Sequence, residues 1–299
     1  MILSYKKPLL RLFKSILSDV LIVAALCGIV YSIQWKWATI LPNLAFSIPA
    51  FLGTAISILL SFKIGQSYDR WWEARKIWGA IVNDSRSFVL QLQGLLPLAA
   101  QAAIQQMTYR QIAWCWALGR NLRQLEVLEY LRATNLLHAQ DMAHLQSQIN
   151  IPLSIVQLNS QQIKALRAKG QLDVFGQLQL DDTLVRLVAS MGKAERIKST
   201  VFPTTYRMML HLIIYAFAIC LILAFKTLSI AWSFPLIMTL VTIFFLLERT
   251  AYNLQDPFEN RPSDTAVNAI ARTIEINLRQ LIGEEKLPAS WESEDYYLM

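Results

Sequence analysis

Charge is what this sequence has least of. Only 16% of its 299 residues are Asp, Glu, Lys or Arg, against 55% hydrophobic residues, and the mean hydropathy is +0.36. Ordinary soluble domains carry about 25% charged residues, so the composition argues against a soluble protein. Cysteine is scarce too: Cys27, Cys115 and Cys220 show no metal-ligand spacing, and two of them sit in apolar runs. That excludes a disulfide framework and leaves buried thiols. Histidine is limited to His138, His144 and His211. The first two are six apart, wrong for neighbouring turns of one helix, and no Cys or carboxylate cluster completes a metal set. His211 opens an apolar run, where an interfacial or helix-packing role is expected. No Gly-rich phosphate loop, no H-E-x-x-H and no G-x-S-x-G occurs, so neither an enzyme nor a cofactor is expected. Period-two alternation is lacking, which leaves helices throughout and an all-α fold class. A cleavable signal peptide is not expected, because a polar, helix-compatible segment precedes the first strong apolar stretch near Val20.

The formal net charge is +7. Lys and Arg are scattered and often flank hydrophobic runs, which fits contact with anionic membrane lipids and speaks against nucleic acid as a partner.

What is present is long hydrophobic runs. Of residues 20–35, 37–62, 208–225 and 228–247, the last three runs are long enough to cross about 30 Å of hydrocarbon, and the first is somewhat short unless its flanks help. The first is preceded over residues 1–18 by Lys6, Lys7, Arg11 and Lys14 interleaved with Leu9, Leu10, Leu12 and Phe13. That is either a basic amphipathic surface helix or a plain charged flank. Pro42 and Asn43 mark a turn into the second run, and Lys226 with Thr227 a tight hairpin between the third and fourth. Pro235 is placed to kink the fourth. The expected organisation is therefore 1–18 basic segment, 19–66 two spans, 67–207 cytosolic helical region, 208–249 two spans, 250–299 cytosolic loop, helix and tail. Lys36 and Lys226 stand alone in the two short loops, whereas the termini and the middle region hold nearly all other Lys and Arg. The positive-inside rule puts both termini and the middle region in the cytoplasm, of a protein expected in the cell inner membrane.

In the middle region, helix is expected over residues 77–103 and 109–131. A further helix capped by Asn159 closes at Gly170, and another runs from Asp181 or Asp182 to Gly192. After Pro262, Ser263 or Asp264 can cap an amphipathic helix with Val267, Ile270, Ile274, Leu278 and Leu281 on its apolar face and Gly283 at its end.

The second span carries the most information. Ala50, Thr54, Ser57, Ser61 and Gly65 form a small-residue stripe at helical spacing. Close helix packing is the commoner use of such a stripe. Thr54, Ile58 and Phe62 form a second face, which in an oligomer could make an apolar constriction. The span emerges into Tyr68, Asp69, Arg70, Trp71, Trp72, Glu73 and Arg75. These make either a salt-bridged aromatic collar at the membrane surface or a ring of charge beside a permeation path.

The run SYDRWWEAR at 67–75, Trp78-Gly79, Asn83-Asp84-Ser85-Arg86, QDPFENRPSDT at 255–265 and Ile274-Glu275-Ile276-Asn277-Leu278 together resemble the bacterial branch of the bestrophin family. The order of elements agrees over nearly the whole chain. The resemblance implies a homopentameric ion channel with four spans per subunit around a central pore and a cytosolic vestibule. It implies a neck at Thr54, Ile58 and Phe62, with Thr54 more polar than the family's usual residue. It implies a second, cytosolic constriction, whose nearest match is Phe175, and it makes Asp69, Arg70 and Glu73 vestibule or collar charges. Animal members bind calcium after an Asn-Pro-Phe block. Here Asp256-Pro257-Phe258 is followed by Glu259, Asn260 and Arg261, so calcium independence is expected. The resemblance further implies monovalent ions as the permeant species, with chloride-type anions as the family label. Alternatives are a sodium-type cation channel of the same fold and a non-conducting membrane scaffold.

Overall fold

The computed structural model describes residues 6–36, 42, 44–200 and 203–292. Every regular element among them is helical. There are ten α-helices: α1 (Lys6–Lys36), α2 (Ser47–Leu95), α3 (Gln101–Leu122), α4 (Leu128–Thr134), α5 (Ala139–Leu145), α6 (Ile151–Ala168), α7 (Val174–Ser199), α8 (Thr204–Ala224), α9 (Ile230–Gln255) and α10 (Val267–Leu281). Four of them, α1 from Leu12 onward, α2, α8 and α9, are long and apolar enough to cross a membrane. The chain divides into two compact units, one of residues 2–71 and 201–256, the other of residues 72–200 and 257–299.

In the first unit, α1, α8, α9 and the first half of α2 share a core of Val23, Cys27, Ile56, Leu60, Ile214, Phe217, Val241 and Phe245, among others. Lipid is as apolar as these side chains, so burial alone selects no arrangement in a bilayer. Polar cross-links do. The Tyr31 hydroxyl meets Ser233 Oγ at 2.7 Å, Gln34 donates to the Lys226 carbonyl at 3.0 Å, and Tyr206 donates to the Leu59 carbonyl at 3.0 Å. The second of these ties α1 to the short α8–α9 turn.

In the second unit α3 is the central rod, buried on nearly all sides from Ile104 to Leu122. The second half of α2 lays Ala74, Ile77, Trp78, Ile81, Phe88, Val89 and Leu92 into the same core. The buried Arg110 donates from Nε and Nη2 to Asp141 at 2.8 and 2.7 Å, so that burial leaves neither charge unmatched. Helix α10 crosses α3 closely: a Cβ on Gly119 would stand 2.6 Å from Val267 Cγ1, which only glycine avoids. Glu275 of α10 accepts from Trp116 Nε1 at 3.0 Å and from Arg279 at 2.9 Å.

Several boundaries differ from those expected. The described part of the basic segment is no separate surface helix; from Lys6 it is the beginning of α1. The helix expected over 77–103 ends at Leu95, because Pro97 lacks the N–H to continue it, and a 3-10 turn over Leu98–Ala100 leads into α3. The stretch 109–131 is likewise two helices, α3 and α4. The cap of α6 is Asn150, whose side chain accepts from Leu153 N, and Asn159 lies buried inside the helix. Helix α7 is capped by Asp173 through Gly176 N and runs past Asp181, Asp182 and Gly192. Helix α9, which holds Pro235 in its first turns, extends to Gln255, beyond the apolar run that ends at 247. No side chain caps α10. Asp264 instead closes the preceding loop, its Oδ2 accepting from Arg261 N at 2.9 Å. Gly170 and Gly283 do end their helices, with φ of +69° and +81°. Asn43 and the tail beyond residue 292 lie outside the described residues.

Asp264 is 1% exposed, and burial pushes its carboxyl up to about 6, with the Arg261 N–H and the Arg261 and Arg123 charges acting in the opposite direction. A folded value above the unfolded one means the native loop holds its proton more tightly. The contribution of Asp264 to stability is therefore greatest below about pH 4 and is lost as pH rises through 6. Thermal melts of the detergent-solubilised protein across that window should show the loss, and Asp264→Asn should flatten it. The same melts test the helix starts: Asn150→Ala and Asp173→Ala should each cost about 1 kcal/mol. Asp182→Ala removes only an exposed pair with Arg186 and should cost about 0.3 kcal/mol.

Candidate functional site

Helix α2 turns two unlike faces outward from its axis. Ile56, Leu60, Lys63 and Ser67, three or four residues apart, are buried. The close approach of Gly53 to the Phe217 ring, where a Cβ would stand at 3.3 Å, packs this side on α8. On the other face Thr54, Ile58 and Phe62 are exposed, Ile58 by 53% and Phe62 by 67%. The three predicted neck residues thus share one open face, one helical turn apart. The small-residue stripe Ala50, Thr54, Ser57, Ser61 and Gly65 is exposed as well. A Cβ on Gly65 would meet nothing within 4 Å.

The polarity of Thr54 is partly spent within the helix. Its hydroxyl donates to the Ala50 carbonyl at 3.0 Å, as Ser57 does to Gly53 at 2.8 Å. Neither residue has a donor proton left over for water or an ion.

The residues expected as a charged collar have separate environments. Arg70 donates from Nε to the Gln255 carbonyl at 2.8 Å, closing the C-terminal end of α9, where unpaired carbonyls carry partial negative charge. Asp69 is exposed. Glu73, one turn further, pairs with Lys76 at 2.6 Å in an exposed i,i+3 contact. The Tyr68 and Trp71 rings stack with centroids 6.1 Å apart. Phe175 belongs to the other unit, on the first turn of α7 directly after its Asp173 cap, and is 81% exposed. Leu178 and Val185 extend the same open apolar stripe along α7. No group of three or more His, Cys, Asp or Glu side chains placed to hold a metal occurs among the described residues.

Sequence reasoning missed the strongest polar feature of the membrane-type unit. Lys63 and Glu248 mark the ends of apolar runs, yet both are 2% exposed, and Lys63 Nζ lies 2.8 Å from Glu248 Oε1. The other Glu248 oxygen faces His211 Nε2 at 3.4 Å, and His211 Nδ1 faces Asp19 Oδ1 at 3.7 Å. Tyr215 donates to the same Asp19 oxygen at 2.7 Å, and Arg207 Nε stands 3.5 Å from Glu248. The available signal was opposite charge at the matching end of each span, Asp19, Lys63, His211 and Glu248.

The comparisons with known proteins follow the same lines. The voltage-dependent anion channel-forming protein mll4386 of Mesorhizobium japonicum is 30% identical over 84% of this chain and 80% of its own length. The voltage-dependent anion channel-forming protein YneE of Escherichia coli K12 is 30% identical over 94% of this chain and 91% of its own. Among solved structures, the crystal structure of a bacterial bestrophin homolog from Klebsiella pneumoniae superposes with a TM-score of 0.81 at 27% identity, covering 91% of this chain and 98% of that one. The sequence model described as Bacterial/Fungal Bestrophin protein matches residues 10–280. With that match spanning the membrane-crossing helices and the helical region between them, the chain belongs to the bacterial and fungal bestrophin family.

Proposed function

We propose that the protein is a passive ion channel, built as a homopentamer, in which α2 lines a central pore and Thr54, Ile58 and Phe62 form its neck. The observation that carries this reading is the asymmetry of α2. One face is packed against α8 and α9, while the face bearing Thr54, Ile58 and Phe62 is open among the described residues, with Ile58 and Phe62 giving it an apolar surface. Five such faces around an axis would make a hydrophobic constriction that conducts when wetted and closes by dewetting. The names of the relatives, anion channel-forming proteins, favour monovalent anions as the permeant species. Phe175, on the open stripe of α7, is the candidate for a second constriction on the cytosolic side. Asp69 is the exposed collar charge able to face a vestibule, since Arg70 and Glu73 have partners of their own.

The proposed setting is the cell inner membrane, with both termini cytoplasmic and anionic lipid around the basic flanks. Nucleic acid has no part in this reading, and neither does catalysis. Calcium has none either. A calcium site gathers six to eight oxygens, but Asp264 accepts from its own loop at Arg261 N. Arg123 reaches the same loop, donating to Asn268 Oδ1 at 2.8 Å and the Thr265 carbonyl at 3.3 Å. A guanidinium thus lies against this loop, which disfavours a bound cation there.

Single-channel recording from purified protein in planar bilayers tests the channel. Discrete conductance steps are expected, and Ile58→Ala or Phe62→Ala should raise the unitary conductance by widening the hydrophobic neck. Unchanged currents in both variants would remove α2 from the neck. Under a salt gradient the reversal potential should lie toward the anion equilibrium potential, and a value near the cation potential would assign cation conduction instead. Micromolar calcium should leave the open probability unaltered; activation lost on Asp264→Asn would sink calcium independence.

A further inference from the structure

The buried cluster behind the neck has a bearing on conduction beyond holding four helices together. Lys63 follows Phe62 directly, yet Phe62 is 67% exposed and Lys63 2%. One residue is a turn of about 100° around an α-helix, so the two side chains report the rotation of α2. On the N-terminal side of this point the approach of Gly53 to Phe217 also depends on that rotation, and seven residues beyond it Arg70 meets the Gln255 carbonyl. From Ile48 to Phe62 every side chain except Thr54, Ser57 and Ser61 is apolar or absent, and lipid, core and a dry neck accept apolar groups about equally. The Tyr206 hydroxyl binds the Leu59 carbonyl, a backbone contact blind to which side chain faces where. The directional side-chain contact next to the neck itself is the ion pair of Lys63 with Glu248 of α9 at 2.8 Å.

Glu248 is itself held in place. Its Oε2 faces His211 of α8 at 3.4 Å, its Oε1 is 3.5 Å from Arg207, and His211 is backed by Asp19 of α1 at 3.7 Å. Tyr215 closes the far side on Asp19 at 2.7 Å. Two carboxylates and two fixed cations therefore balance, with an imidazole between them, and all four membrane-crossing helices contribute. A buried ion pair stabilises little compared with apolar groups of equal volume, and charge within a span is expensive. What such a pair supplies is a unique arrangement.

We infer that Lys63 is a positioning residue for conduction: its ion pair with Glu248 sets the rotational register of α2 and so aims Ile58 and Phe62 into the neck. This inference rests on the neck reading above. The test measures the effect of Phe62→Ala on unitary conductance in the native chain, with Lys63→Met, with Glu248→Gln and with the exchange Lys63→Glu/Glu248→Lys. Phe62→Ala should raise conductance in the native chain, do so much less where either partner is neutralised, and regain most of its effect in the exchanged pair. If neutralised chains make fewer channels but Phe62→Ala acts on each as strongly as in the native chain, Lys63 is structural only and the inference fails. A second measurement stands apart from the neck and from the yield of any one variant. In chains lacking Cys27, Cys115 and Cys220, Phe62→Cys should react with a water-soluble maleimide, more slowly beside Lys63→Met but not beside Lys63→Arg, which keeps the charge. Dependence of that labelling on Lys63 with no effect of Phe62→Ala on conductance would uphold the register and sink the neck. Labelling independent of Lys63 would overturn the register itself.

Discussion

In the membrane-type unit the constraint on which everything else hangs is that apolar contact cannot choose among arrangements. A helix whose every face is content in hydrocarbon needs some other interaction to say which face goes where. The contact between Lys63 and Glu248 meets that need, with His211 and Asp19 behind it. The smaller links of Tyr31 to Ser233 and Gln34 to Lys226 act the same way further along α1, each on the scale of about 0.6 kcal/mol. The unit of residues 72–200 and 257–299 obeys the opposite rule. There the hydrophobic effect does the sorting, gathering Trp78, Phe88, Trp114, Ile274 and their neighbours around α3. Its polar groups, such as Arg110 with Asp141, follow the packing instead of directing it.

That contrast explains what the sequence could tell in advance. The spans were legible because length and apolarity define them, and α8 and α9 extend within a few residues of the expected runs or beyond. The apolar face of α10 was legible because Val267, Ile274 and Leu278 recur at helical spacing and are all fully buried. Helix starts in the middle region were harder to read. Asn150 and Asn159 are both residues that cap, and so are Asp173 and Asp182. Only the packing of Ile155, Ile163, Leu180 and Leu187 decides how far upstream each helix must begin. At α2, Pro97 outweighed an apolar stripe that ran on past it.

The candidate site divides along the same line. The face of Thr54, Ile58 and Phe62 follows from a spacing of four and from the family's motifs, and the structure leaves that face open. The ion pair proposed to orient it joins residues 185 apart in the chain, a separation no local pattern reports. Lys63 and Glu248 each look like the ordinary charged end of a span. Only the three-dimensional arrangement reveals that they end at the same point and face inward. Arg70 is a similar case, read as part of a charged ring but committed to the last carbonyl of α9.

The meeting of Gly119 with Val267 carries an evolutionary consequence. The two positions share one volume, so neither can drift alone. Relatives that place a side chain on α3 at this point must have given up bulk on α10 opposite it, or spread the two helices. The pair should therefore vary as a unit across the family, a fixed sum of side-chain size divided differently between two helices far apart in the sequence.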